Sequence, residues 1–269
     1  MERIIGTALI TLIALISSGS AQNYRLHDDQ SIGWIALTGG IPIAPKLDLY
    51  LEYQWRRTGA QYFNHWEQSL ARVGFTYAVL PGIKFRAGYG FIETFPFGEY
   101  PINSFGKVFP EHRIFESFIL HHTQERFTFM HRYMLEQRFL GTYANATENR
   151  IDRYTFVNRL RYQGRIQMPL QGKTLDAIEF YLAAWDEIFI GFGKNVNANV
   201  FDQNRFAFLL GFALRKDLKI EGGYFSQIIQ LSRTIQQHPV FQQNSGMIFA
   251  VSFFPEGKQK QKTKPIQSG

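Results

Sequence analysis

From Phe206 the even positions of the chain read Phe206, Phe208, Leu210, Phe212 and Leu214, and the odd positions between them Ala207, Leu209, Gly211 and Ala213. Gln203 and Arg205 extend the odd face upstream. A period of two sustained this far is read out as two faces only by a β-strand. Arg215-Lys216-Asp217 turns the chain, after which Leu218, Ile220 and Tyr224 resume an apolar face against Lys219, Glu221 and Gly223. The unit Phe201–Tyr224 is therefore a long β-hairpin with one greasy side and one side of Arg, Lys, Glu and Gly.

The same alternation recurs along the chain. It predicts strands over Ser31–Thr38, Leu47–Arg56, Trp66–Val79, Ile83–Thr94, His112–Thr123, Arg126–Leu140, Arg153–Met168, Ala177–Phe192, Phe201–Leu214, Leu218–Gln230 and Ser245–Phe254. Most of these run 10 to 16 residues, where strands of soluble sheets run about 5–6 and membrane-spanning strands need about 9–11.

The connections alternate too. Gly39–Pro45, Leu80–Gly82, Gln124–Glu125, Leu170–Asp176 and Arg215–Asp217 are short, whereas Arg57–His65, Phe95–Glu111, Gly141–Asp152, Gly193–Val200 and Leu231–Asn244 are mostly longer. Short turns at one end and long loops at the other are the pattern of bacterial outer-membrane barrels. The fold expected is an all-β, antiparallel transmembrane β-barrel of about 10–12 strands. Eleven are counted, and the even numbers of single-chain bacterial barrels argue either that Ser31–Thr38 is not a full wall strand or that a twelfth short strand exists.

The N-terminus fits export. Arg3 precedes an apolar run, Ile4–Ile16, that ends in the small residues Gly19-Ser20-Ala21. Thirteen apolar-run residues are too few to span a bilayer core of about 30 Å, and the small-residue exit suits signal peptidase. The expected organisation is a signal peptide over residues 1–21 cleaved after Ala21, an outer-membrane barrel over 22–254, and a disordered, Lys-rich periplasmic tail over 255–269.

Composition adds three constraints. The 26 Phe and 13 Tyr of the 269 residues suit strands and membrane interfaces. With no Cys, disulfides, thiolate sites and a lipid anchor on an N-terminal cysteine are excluded. The formal charge of +7 does not point to nucleic acid, because four Lys sit in the tail and the Arg are spread through strands rather than gathered in a patch.

The polar faces carry Asp48, Glu52 and Arg56, then Lys84 and Arg86 among Gly88 and Gly90, then Arg132, Glu136 and Arg138, then Arg159, Arg161 and Arg165. Arg72, Arg205, Lys219 and Glu221 complete the set expected to line the lumen. Glycine among charges suits a crowded hydrated interior, where it makes room for long Arg side chains. Asp186, Glu187 and Asp202 are expected partners for those arginines, because a charge inside a narrow barrel must be paired or wetted. Such side chains should fill much of the lumen, and the surplus of cations should make any remaining path favour anions.

LEYQWRR (Leu51–Arg57), GYGFIETFPFGEYP (Gly88–Pro101), FPEHRIFE (Phe109–Glu116), HRYMLEQRFLG (His131–Gly141), NRLRY (Asn158–Tyr162), AAWDEIFIGFGKN (Ala183–Asn195) and FDQNR (Phe201–Arg205) occur in that order. Through them the chain resembles a family of Gram-negative barrel-like proteins, domain of unknown function 2490. The resemblance implies an outer-membrane location and no established activity. The barrel reading itself makes outer-membrane lipid and the barrel assembly machinery the expected partners. The Lys-rich tail departs from barrels that end on an aromatic residue.

Candidate chemistry is sparse. His121 and His122 point to opposite faces of a strand, so at most one joins His131 across the turn, and no metal or cofactor is expected. No GxSxG elbow is present. Glu93, Glu99, Glu111 and His112 bracket the loop FPFGEYPINSFGKVFPE, read first as a stiff Pro/aromatic loop that caps the barrel and second as a binding or gating loop at the outer mouth. The reading favoured is a structural or narrow, largely plugged pore; the alternatives are a membrane-embedded lipid-modifying enzyme and a soluble periplasmic lipid-binding barrel.

Overall fold

The alternating segments become eleven strands closed into one barrel in the computed structural model, which describes residues 24–59, 64–196 and 199–255. The predicted signal peptide, and all of the predicted tail except Pro255, lie outside the described residues. The strands are β1 (Leu26–Ala44), β2 (Leu47–Thr58), β3 (His65–Leu80), β4 (Ile83–Thr94), β5 (Phe109–Gln124), β6 (Phe127–Thr142), β7 (Arg153–Pro169), β8 (Glu179–Phe192), β9 (Phe201–Arg215), β10 (Leu218–Ile235) and β11 (His238–Phe253). Each pairs antiparallel with its sequence neighbours.

The ring closes through a single parallel pair, β1 with β11, from Leu26↔Val240 to Gly39↔Phe253. Up-and-down strands in odd number leave the first and last running the same way, so closure demands one such pair. This corrects the expectation of an even number. β1 is a full wall strand of 19 residues, and the count among the described residues is eleven. Its first turn-like stretch, His27-Asp28-Asp29-Gln30, has no apolar alternation, yet its backbone is held in register by β11.

One mouth carries the connections 59–64, 95–108, 143–152 and 193–200; the other carries 45–46, 81–82, 125–126, 170–178 and 216–217. The first is the loop mouth and the second the turn mouth. The chain enters the barrel at the loop mouth and leaves it at the turn mouth, where Phe253 pairs with Leu218. Two connections differ from expectation. The stretch Leu231–Asn244 is not a loop: β10 and β11 run on to a two-residue turn, Gln236-Gln237, with φ of 50° and 66°. Positive φ at both centres matches the twist of the flanking strands. The connection 170–178, in turn, is longer than expected and folds Leu175 against the inner apolar cluster.

The interior has two chemically distinct halves. Trp34, Tyr181, Leu209, Phe225 and their neighbours on β1 and β8–β11 form an apolar cluster. Gly211 belongs to it by omission, because a Cβ there would stand 2.2 Å from the Tyr181 ring. The other half, from β2 to β7, is charged.

Asn and Gly at positions 236 and 237 remove the left-handed strain of two glutamines, each costing about 1 kcal/mol or more. Gln236→Asn with Gln237→Gly should therefore raise the urea midpoint of the folded barrel, by about 1 kcal/mol in stability; an unchanged or lower midpoint counts against this turn.

Candidate functional site

The lumen is where the chemistry of this chain is concentrated. Glu136, on the inner face of β6, is fully buried and lies within ion-pair distance of four guanidiniums. Arg72 of β3 is at 3.2 Å, Arg113 of β5 at 3.6 Å, and Arg159 and Arg161 of β7 at 2.5 and 2.7 Å. Each of those arginines reaches a second acid. Arg72 donates to Glu52 at 2.9 Å, Arg161 to Glu187 at 2.7 Å, Arg159 to Asp202 at 2.5 Å, and Arg113 to Glu111. Arg132 joins through Glu187 at 2.8 Å and Arg138 through Glu111 at 2.7 Å. The result is one lattice of alternating charge across the barrel from β2 to β9.

Aromatic faces also take up guanidinium planes, both of an arginine outside the ion pairs and of one within them. Arg86 lies 3.6 Å from the centre of the Tyr50 ring, and Arg161 lies 4.4 Å from that of Phe189. Gly90 opposite Arg72 leaves room for its stem, since a Cβ there would stand 3.1 Å from Arg72 Cγ. Nearer the turn mouth, Arg165 pairs with Glu221, which also accepts from Tyr181 Oη at 2.7 Å. Outside the barrel at that mouth, Lys216 lies 2.8 Å from Asp176 and holds its carboxyl below the usual carboxylate range.

All fifteen residues read as lumen-lining occupy inward positions with buried or half-buried side chains; Asp48, Lys84 and Lys219 are half-buried towards the turn mouth. Of the three acids expected to pair with them, Glu187 and Asp202 do so, whereas Asp186 faces outward and accepts from Asn204. The four residues of the outer-mouth set do not meet. Glu93 is exposed on the outer wall and Glu99 in the loop. Glu111 is buried in the lumen, and His112 turns outward to bond Tyr89 and Tyr154. Consecutive residues of one strand cannot share a face, so Glu111 and His112 part. Of the remaining histidines, His122 stacks on His131 with 5.6 Å between ring centres. Among the described residues no group of three or more His, Asp or Glu is arranged to hold a metal.

Sequence reasoning missed Arg113 and Glu67. Arg113 is on the inner face of a strand whose alternation was legible from His112 onward. Glu67 is different in kind. The pairing jumps from Arg56↔Gln68 to Arg57↔Trp66, so Glu67 is the extra residue of a β-bulge and is turned inward, where Trp34 Nε1 donates to it at 2.6 Å. Asp202 sits in the same kind of place, between Phe189↔Gln203 and Ile190↔Phe201.

Above the lattice a cavity of about 240 Å³ opens below the loop mouth. Arg56, Arg113, Arg138, Arg159 and Arg205 approach it from the wall, and Phe97, Ile102 and Val196 face it from the loops. The loop 95–108 is folded into the mouth rather than outward. Tyr100 N donates to Asp28 Oδ2 at 3.2 Å, Gln242 Nε2 donates to Tyr100 O at 3.0 Å, and Arg233 donates to Pro101 O. Gly98, at φ +75°, passes so close to Asp28 that a Cβ would stand 2.2 Å from its carboxylate.

A family model described as protein of unknown function (DUF2490) matches residues 32–238. The chain belongs to that family. The match runs from within β1 to the start of β11 and so takes in the lattice, the inserted loop and both inward-turned bulge acids. No curated protein and no solved structure matches the chain.

Removing one partner from a buried ion-pair cluster costs about 3–5 kcal/mol. Glu136→Gln should therefore destabilise the barrel by about that much in urea unfolding, and Glu221→Gln, whose ion pair lies closer to solvent, by clearly less. Equal losses would show that Glu136 is not the centre of the lattice.

Proposed function

We propose that the protein is an outer-membrane β-barrel of a Gram-negative bacterium, exported with its signal peptide cleaved after Ala21. Its wall meets lipid, and its lumen is closed by its own side chains and by loop 95–108. Its role is then structural, or that of a narrow, largely plugged path that prefers anions.

The observation that carries this reading is the outer face of the wall. Phe75, Phe118, Phe208 and Leu210 are each at least half exposed, and large apolar side chains follow one another around the wall from β1 to β11. Soluble proteins rarely expose contiguous apolar patches beyond a few hundred Å², whereas a lipid-facing barrel requires such a band. The outward aromatic groups near the two mouths fit interfacial girdles: Trp55 on Trp66 towards the loops, and His122 on Phe129 towards the turns. No helix among the described residues is long and apolar enough to cross a membrane, so lipid contact would be through strands. The barrel assembly machinery is the partner such a chain needs for insertion.

Anion preference rests on the inner charges. Arg56, Arg86 and Arg205 have no carboxylate within 4.0 Å among the described residues, and a focused positive potential concentrates anions. Barrels of about eight strands are filled by side chains and those of about 16–18 leave an aqueous channel; eleven strands lie between, and the bulk of the inward arginines and their acids leaves little room for flow.

Outer-membrane fractionation followed by a gel with and without heating is expected to show a heat-modifiable barrel whose mature chain begins at Gln22 by mass spectrometry. Recovery in the soluble periplasm would refute the membrane location. Planar bilayers should show little or no single-channel current, with anion preference in whatever current flows; a large cation-selective conductance would contradict the plugged lumen. Phe208→Arg places a charge against lipid and should cost about 2–4 kcal/mol near the midplane in folding into vesicles; no loss would refute the face assignment.

A further inference from the structure

Two of the arginines at the wall of the cavity stand outside the ion-pair lattice. Arg56 and Arg205 are 3% and 8% exposed, and neither has a carboxylate within 4.0 Å among the described residues. Both guanidiniums lie over the same indole, 3.9 and 5.0 Å from the centre of the Trp34 ring. Arg56 is at least hydrogen-bonded, to Gln54 and Gln68. Arg205 lies against the ring faces of Trp34 and Phe189, and its Nε is buried without a hydrogen-bond partner among the described residues.

Two more orphaned atoms line the same space. Gln227 Oε1 and Asn199 Oδ1 are buried acceptors without donors among the described residues. Native interiors satisfy nearly all such groups, and those left over are accounted for by water, an ion or a ligand. The lining holds five arginines, Arg56, Arg113, Arg138, Arg159 and Arg205, against three carboxylates, Glu67, Glu111 and Asp202, a cationic excess of two, together with the two neutral acceptors and the apolar Phe97 and Ile102. Single waters would satisfy the polar atoms but leave the cationic excess and the apolar side unused.

We infer that the cavity below the loop mouth is a binding site for a small organic monoanion: a carboxylate on an aromatic or compact aliphatic body, with a hydroxyl as donor. The carboxylate takes the Arg205 and Arg56 guanidiniums, the hydroxyl donates to Gln227 or Asn199, and the body lies under Phe97 and Ile102. A cavity of about 240 Å³ accommodates about ten non-hydrogen atoms, given that an apolar cavity of about 150 Å³ takes benzene. The inserted loop then serves as the roof of the site. This goes beyond the proposed membrane role, since the cavity is built from the inner wall of the barrel and the loops at its mouth, not from the outer face.

The test is calorimetric titration of the purified full-length barrel in detergent micelles with 4-hydroxybenzoate. Saturable binding is expected. Neutral 4-hydroxybenzamide and inorganic phosphate, which lack respectively the charge and the apolar body, should each bind at least about ten-fold more weakly. Arg205→Gln should weaken 4-hydroxybenzoate binding by about 10- to 100-fold, the range of one charge-assisted hydrogen bond. Ile102→Trp, a loop substitution that fills the cavity without touching the charges, should abolish binding while the barrel remains heat-modifiable; it keeps the test decisive if Arg205→Gln does not fold. The inference is overturned by absence of binding to the folded wild-type barrel at millimolar concentration. Undiminished binding by either folded variant overturns it as well, and so does binding of the amide or of phosphate as tight as that of 4-hydroxybenzoate.

Discussion

Glu136 holds together four arginines from three strands, and the inner half of the barrel between β2 and β9 depends on that contact. A carboxylate buried this completely is unstable alone, and so are guanidiniums packed this densely. Each is tolerable only because the other is there. The geometry follows from the pleat: residues two apart on one strand face the same way, so Arg159 and Arg161 present two guanidiniums to one acid, and Glu111 and Arg113 pair along a single edge. Arginine suits the role because its planar fork serves two carboxylates at once. Lysine, a point charge, is confined to the more open turn mouth at positions 84 and 219.

The charged lattice and the apolar cluster divide the interior between them. On the side of β1 and β8–β11 the closing parallel pair is backed by Trp34, Phe225 and Ile248, and rings rather than ion pairs fill the space. At the border the two chemistries meet through cation–π contact, with Trp34 under Arg56 and Arg205, and Phe189 beside Arg159 and Arg161. Shape there is fixed by flat surfaces stacked on one another, which explains how so many arginines fit without a carboxylate for each.

Much of this was legible in the sequence because a strand exposes its logic in every second residue. Phe206, Phe208 and Leu210 announced the outer face, and Arg159, Arg161 and Arg165 the inner one. Illegible features lay where the period of two breaks or where the chain lacks customary punctuation. The bulges at Glu67 and Asp202 turn an acid inward at an outward-numbered position; Asp202 was expected as an arginine partner, but Glu67 is revealed only by register. The β10–β11 turn carries Gln-Gln in place of the usual Asn-Gly, so a tight hairpin reads as a polar loop. Closure by β1 and β11 joins segments more than two hundred residues apart, a fact that no local pattern encodes. The cavity was equally hidden, because its roof, Phe97 and Ile102, comes from a loop whose inward fold is set by Asp28, Gln242 and Arg233, all distant in the chain.

The odd strand count has a vectorial consequence. In a ring of even number both chain ends emerge on one rim, and whatever is attached to them shares a compartment. Here the first strand begins at one rim and the last finishes at the other. Two passengers fused directly before Leu26 and directly after Phe253 would be held apart by the full height of the wall, about 25 Å of apolar band in a barrel set in a bilayer. The wall thus carries the backbone from one rim to the other, with Leu26 at the loop mouth and Phe253 at the turn mouth.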